Sequence, residues 1–203
     1  MNTHEKLYED IIRAGKHSAK FEALAQSKDY KGEKYGDKDN LKKSGAVSLE
    51  DAQFLYNVIS YTGCTTAIEI GTWFGTSAIF MAKAMRDAGE KGKVYTCDKH
   101  NVYLEDNPYA DMIEYNNMWS DEFLKQLVGN NVSAQFMFID ATIKPKDVKR
   151  IKMVLSPLRF ALHDWKYGDR KGHRCYEMMR GEIKKKMVKE RPTDEIAYFC
   201  EVL

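Results

Sequence analysis

Residues Ala67 to Met85, AIEIGTWFGTSAIFMAKAM, limit what this chain can fold into more than any other stretch. Ala67-Ile68-Glu69-Ile70 is a short apolar, β-branched run of the kind that forms buried parallel strands, and it stops at Gly71. Thr76, Ala78, Ile79, Met81, Ala82, Ala84 and Met85 then give a helix-favouring apolar run, with Lys83 and Arg86 for a wet face. A strand that enters a helix through a glycine turn aims the helix's unpaired N–H groups, and its positive dipole end, at whatever lies above the turn. That point suits an anion or a polar ligand. Gly71 and Gly75 remove the Cβ atoms that would hold a ligand away from the backbone. Trp73 stands where a dinucleotide fingerprint, G-x-G-x-x-G, has its middle glycine, so the spacing disfavours NAD.

The rest of the chain repeats the strand-then-helix order. Gly89 and Gly92 lead into Val94-Tyr95-Thr96-Cys97-Asp98, a second strand ending in an acid that can accept both hydroxyls of a ribose. Met112 to Tyr115 reads as a short third strand, and Ser120 opens a helix with Phe123, Leu124 and Leu127 facing inward. Gln135 to Asp140 is a fourth strand, Pro145 starts a helix through Val148, Ile151 and Leu155, and Arg159 to Asp164 is a fifth strand. This alternation predicts an α/β fold: a Rossmann-like, doubly wound, mostly parallel sheet with helices on both faces. In such a sheet Asp98, Asp140 and Asp164 share one rim, where three carboxylates repel unless a cation or hydrogen-bond donor sits between them.

Upstream, Leu7, Ile11, Ile12 and Ala14 suggest one amphipathic helix, and Phe21, Leu24 and Ala25 a second. Gln26 to Ser44 is rich in Lys, Asp, Gly and Tyr and nearly free of aliphatic side chains, which fits a surface arm or a substrate-covering lid. Ser48 and Asp51 have capping-box spacing ahead of an apolar stripe (Leu49, Ala52, Phe54, Leu55, Val58, Ile59), predicting a helix to about Tyr61. The expected division is residues 1–45 as a helical arm or lid and residues 46–203 as the ligand-binding domain. After a basic stretch from Lys166 to Arg174 and a helix with Tyr176, Met178, Met179 and Ile183, there is sequence for one closing strand, Glu195 to Leu203. The C-terminal strand pair is therefore expected to be truncated, with the sheet edge shortened or completed by a second copy in a homodimer.

Composition narrows the partners. The net charge of +2 over 203 residues sets up no field that demands nucleic acid or an anionic membrane. No apolar run reaches membrane-spanning length, MNTHEKLYED lacks the apolar core of a secretory signal, and Cys64, Cys97, Cys175 and Cys200 show no C-x-x-C spacing. A cytoplasmic location is expected.

The Glu69 to Ser77 stretch, with an acid two residues before the first glycine and Thr-Ser after the second, resembles the first motif of class I S-adenosylmethionine (SAM) methyltransferases. Its bulky residue between the glycines is similar to the catechol and caffeoyl-CoA O-methyltransferase group, as is the Gln53-Phe54-Leu55 helix at its distance from Glu69. The resemblance covers roughly Val47 to Asp164. It implies a SAM-dependent methyltransferase acting on an oxygen of a small-molecule acceptor, with no nucleic acid and no membrane as partner. Carried over by position, it implies that Val47 lines the cofactor pocket, that Glu69, Gly71, Gly75 and Ser77 hold the methionine part, that Asp98 holds the ribose, and that Ser120 edges the adenine. Asp140 and Asp164 match the acids that hold a divalent ion, Mg²⁺ suiting such oxygen ligands. The Asn that follows the second acid in the family is Trp165 here, leaving His163 or Asp169 as substitutes. The family's lysine, three residues after the first acid, is Ile143 here, so Lys144 and His163, with His100 and His173 behind them, are candidates for a general base by location. Asp106-Asn107-Pro108-Tyr109 is similar to the D/N-P-P-Y motif of DNA amino-methyltransferases, but it lacks the second proline and precedes the wrong strand, so it reads as a turn. Two other functions stay open: a non-catalytic SAM-binding protein, and a nucleotide-dependent oxidoreductase.

Overall fold

The computed structural model describes residues 2–26, 46–165, 171–182, 187–190 and 192–201. The arm from 27 to 45, the Lys166–Arg170 part of the basic stretch with Asp169, and Ile183 lie outside the described residues. In chain order the helices are α1 (Thr3–Lys16), α2 (Ala19–Gln26), α3 (Leu49–Thr62), α4 (Thr76–Asp87), α5 (Ser120–Gly129), α6 (Pro145–Val154) and α7 (Lys171–Glu182). The strands are β1 (Thr66–Ile70), β2 (Lys93–Asp98), β3 (Ile113–Asn117), β4 (Phe136–Ile139), β5 (Arg159–Leu162), β6 (Met187–Glu190) and β7 (Ala197–Glu201).

They form one seven-stranded sheet in the order β3-β2-β1-β4-β5-β7-β6, parallel except for β7, which runs antiparallel to both neighbours. The doubly wound arrangement follows from the two-residue period of the strands. Ala67, Val94, Phe136, Phe138 and Ala161 feed the core on one face. Ile68, Ile70, Met137, Ile139 and Leu162 feed the core on the other. Helices α3 and α4 cover the first face, joined by Ile11 of α1 and Phe21 of α2, while α5, α6 and α7 cover the second. The N-terminal helices thus share a core with the sheet.

The Ser48/Asp51 capping box forms as the spacing predicts, and Gly63 closes α3 in a left-handed conformation. The expected truncation of the C-terminal strand pair is corrected. Both strands are present, β6 pairing with β7 from Met187 opposite Glu201 to Glu190 opposite Tyr198. With Lys189 and Glu190 in a strand of four residues, β6 has the short, charged character of an edge strand, which gives no apolar alternation to read. The chain completes its own sheet edge, which removes the ground on which a homodimer was expected.

Candidate functional site

The site is assembled where β1, β2, β4 and β5 end along one rim. Backbone bonds extend the sheet past the strand ends: Gly71 N–H donates to Cys97 O at 2.9 Å, Asp140 N–H to Ile70 O at 2.8 Å, and His163 N–H to Ile139 O at 3.0 Å. These bonds fix the heights of the turn, Asp140 and His163 relative to one another. Gly71 has φ +101, and a Cβ there would lie 2.6 Å from Asp140 O, so the turn after β1 passes too close to β4 for any side chain.

An open recess of about 200 Å³ lies above this turn, lined by Ala46, Val47, Gly71, Thr72, Trp73, Phe74, Thr76, Ser77 and Asp140. Four residues carried over by resemblance therefore meet around one space: Val47, Gly71, Ser77 and Asp140. Thr76 and Ser77 begin α4, so unpaired helix N–H groups face the same region. The buried Thr76 Oγ1 has no hydrogen-bond partner among the described residues, an orphan that a polar ligand in the recess would satisfy. Gly75 caps α4 from behind rather than lining the recess, since a Cβ on it would strike the Tyr103 ring at 2.7 Å.

Glu69 lies beneath the recess. Its carboxylate is fully buried and accepts hydrogen bonds from Ser77 Oγ and, at 2.5 Å, from Thr96 Oγ1, which also meets Thr72 Oγ1. Burial pushes the carboxyl up to about 8 against those hydrogen bonds, and the Asp140 and Asp98 charges add to the rise. Glu69 is thus joined to the recess lining by Ser77 directly and by Thr72 through Thr96.

Asp98 closes the β2 end of the rim. Its Oδ2 accepts from Trp73 N–H at 3.0 Å and its Oδ1 from His100 N–H at 2.8 Å, tying the first motif to the second strand. Ser120 stands at the first turn of α5, with its Oγ 3.5 Å from the buried Asp147. Beside it the half-exposed Trp119 ring packs under Lys99 Nζ at 5.0 Å, bridging the residue after Asp98 to the start of α5.

On the other side of the recess, His163 Nδ1 lies 3.0 Å from Asp140 Oδ1 and 3.7 Å from Asp164 Oδ1. One ligand atom from each of these three residues fits within a 4.8 Å sphere of mutual distances, which suits a single divalent cation. The other ring nitrogen, Nε2, faces Asp51 Oδ2 at 3.5 Å, a charge contact without hydrogen-bond geometry. Burial by itself would lower the His163 pKa, but the Asp140 and Asp51 carboxylates outweigh it and push it up to about 11. Burial likewise works to raise Asp51, yet the nearby His163 imidazole and hydrogen bonds from Ser48 and Thr193 hold its carboxyl below the usual range.

Both expected bases, His163 and Lys144, have carboxylate partners. Flanked by carboxylates, His163 has its imidazole pushed toward the charged form, which weakens it as a base, and a bound cation would have to displace that proton to reach Nδ1. Lys144 caps α6 and turns its half-exposed side chain to Asp121, 3.7 Å away, because the α6 start faces α5 and not the recess. The secondary candidate His173 is stacked on Trp165 at 3.9 Å, with Nε2 on that residue's carbonyl. Trp165 itself is buried against Tyr176 and Phe199 and turned into the core.

Asp51 escaped the sequence reading except as a helix cap. Its other partners are 112 and 142 positions away (163 − 51 and 193 − 51), and no local spacing announces them. Thr76 was read only as a helix residue, although its place at the first turn after the glycine was a usable signal.

A family model described as a methyltransferase domain matches residues 68–159. Among solved structures, the O-methyltransferase TomG from Streptomyces achromogenes, in complex with SAM, has a TM-score of 0.61 at 15% identity, covering 99% of both chains. An O-methyltransferase from Bacillus cereus, in complex with SAH, has a TM-score of 0.61 at 16% identity, covering 98% of this chain and 100% of that one. CmcI with Mg and SAM has a TM-score of 0.58 at 15% identity over 78% of this chain and 75% of that one. No curated protein matches the sequence. At these identities the structures speak for the fold, and the family match places its motif stretch. From within β1 to the start of β5 this chain is thus similar to a methyltransferase domain, and its seven-stranded sheet has the Rossmann-like fold of the solved O-methyltransferases.

Proposed function

We propose that the protein transfers a methyl group from SAM to an oxygen of a small-molecule acceptor. The observation that carries this reading is the recess above the Gly71 turn, where Val47, Gly71, Ser77 and Asp140 converge beside an orphaned Thr76 hydroxyl. Bound SAM supplies an electrophilic methyl on a sulfonium. An acceptor oxygen would take that methyl as the carbon–sulfur bond breaks, with the hydroxyl proton passing to solvent.

The chain's own residues bind and orient. The α4 N–H groups, with the Thr76 and Ser77 hydroxyls, suit the amino-acid end of SAM. Asp98, already anchored by two backbone N–H groups, keeps further lone pairs for ribose hydroxyls, and Ser120 with Trp119 edges the base. Glu69 sits under the floor, where burial raises its carboxyl pKa and favours the neutral form. Catalysis is then mostly alignment of the acceptor oxygen with the methyl group. A divalent ion held by Asp140 and Asp164, Mg²⁺ in the simplest reading, would lower the acceptor hydroxyl's pKa.

The Trp73 turn gives no support to an oxidoreductase, since no second glycine lets a pyrophosphate reach the backbone. The α1–α2 segment is read as part of the cover of this site, because Phe21 of α2 packs edge-on against Trp73 and Phe74 at 5.9 and 5.2 Å. No described helix is long and apolar enough to cross a membrane. Three of the four cysteines are buried as thiols, which fits a reducing compartment such as the cytoplasm. The test is mass-spectrometric product analysis with SAM, a divalent ion and a panel of phenols, catechols and sugars. A product heavier by one methylene supports the reading, and inactivity across the panel despite saturable SAM binding would favour a non-catalytic SAM binder.

A further inference from the structure

We infer that this chain's divalent-ion site is a mixed oxygen and nitrogen centre of Asp140, His163 and Asp164, supported from behind by Asp51, and selects a first-row transition metal over Mg²⁺. The inference rests on the methyltransferase reading for its location and on this chain's own residues for its donors.

The third donor cannot come from position 165. Trp165 has no metal-binding atom and is locked in an aromatic cluster with His173, Tyr176 and Phe199. His163 supplies it instead. Its Nδ1 is the ring atom turned toward both carboxylates, at 3.0 and 3.7 Å. Asp164 has φ +57, an unfavourable conformation for a residue other than glycine, and adopting it leaves Oδ1 beside the imidazole. Helix α7 presses on the same backbone, since a Cβ on Gly172 would lie 2.4 Å from His163 O.

A carboxylate also stands behind the imidazole. A ligating imidazole directs its far N–H at a carboxylate, which fixes the tautomer and strengthens the donor. Here Nε2 faces Asp51 at 3.5 Å. Asp51 is 1% exposed and is itself held by Ser48 Oγ at 2.7 Å and Thr193 Oγ1 at 2.6 Å. Two carboxylates and an imidazole depart from the all-oxygen octahedron that Mg²⁺ demands, and imidazole raises affinity along the series from Mn²⁺ toward Co²⁺ and Zn²⁺.

The experiment titrates the full chain with Co²⁺ and, separately, Mg²⁺ by calorimetry, with and without SAM. Wild type is expected to bind Co²⁺ at least about tenfold more tightly than Mg²⁺. His163→Asn is expected to erase that preference, and Asp51→Asn to weaken Co²⁺ by about 10- to 100-fold. Ring ¹⁵N spectra of wild type need no variant: Co²⁺ should shift or broaden the His163 Nδ1 signal and leave His173 nearly unmoved. Equal affinity for the two ions, Co²⁺ binding that survives His163→Asn, an unmoved His163 signal, or no metal binding at all would each overturn the inference. The last would mean that the imidazolium is the resident cation between the aspartates. Failure of SAM to bind would instead sink the methyltransferase reading, while the Co²⁺ titration still decides the donor set.

Discussion

Thr193 Oγ1 donates a 2.6 Å hydrogen bond to Asp51 Oδ1, joining the turn before the last strand to the first turn of α3 across 142 positions. The same hydroxyl accepts the Ile196 N–H at 2.9 Å. This one side chain therefore braces the carboxylate that faces His163.

Thr193→Val keeps the shape and removes the hydroxyl, leaving a buried carboxylate one donor short and a backbone N–H unpaired. A loss of about 2 kcal/mol is expected in urea unfolding, with Thr193→Ser recovering most of it. A valine variant as stable as wild type would show that the bond contributes nothing.

Glu69 predicts a pH dependence whose sign follows from its raised pKa. The unfolded chain ionises it near the ordinary 4.5, while the folded protein keeps its proton up to about 8. Its contribution is therefore fully present below about 4.5 and is lost as pH rises to about 8. Thermal melts across that window should show wild type losing stability relative to Glu69→Gln, which does not titrate. Parallel curves would contradict the buried, protonated carboxyl.

Gly71→Ala and Gly89→Ala separate strain from contact. Both positions have positive φ, but a Cβ on Gly89 meets nothing within 4 Å, whereas one on Gly71 strikes Asp140 O at 2.6 Å. Gly89→Ala should cost about 1 kcal/mol and leave SAM binding intact. Gly71→Ala should cost more and abolish SAM binding, because the turn must move away from β4. Equal effects from the two would mean that the close approach is unimportant.

Trp165→Asn, which puts the O-methyltransferase residue back, is predicted to fail as a repair. The side chain is 4% exposed and lies among His173, Tyr176 and Phe199, so the change opens a cavity costing about 3–5 kcal/mol in chemical denaturation. An asparagine variant that is stable and binds Mg²⁺ more tightly would show that this position still reaches the rim.

The sheet and much of the rim were legible in sequence because their signals are local. The β1 turn, the Ser48/Asp51 box and the strands ending at Asp98 and Asp140 each lie within a few residues. What was missed is non-local or without pattern. Strand β6 carries two charged residues in four and shows no alternation, so only its pairing with β7 reveals it. The buried state of Glu69 depends on Thr96 from the neighbouring strand, and the role of His163 depends on Asp51 from a helix more than a hundred positions earlier. Lys144 was the converse case, close in sequence to Asp140 but placed at a helix start that faces Asp121.

Calorimetric titration with SAM and with NAD tests the central claim most directly. The account predicts saturable one-to-one binding of SAM, lost in Gly71→Ala, and no heat from NAD. Binding of NAD without SAM, or SAM binding indifferent to Gly71→Ala, would contradict it.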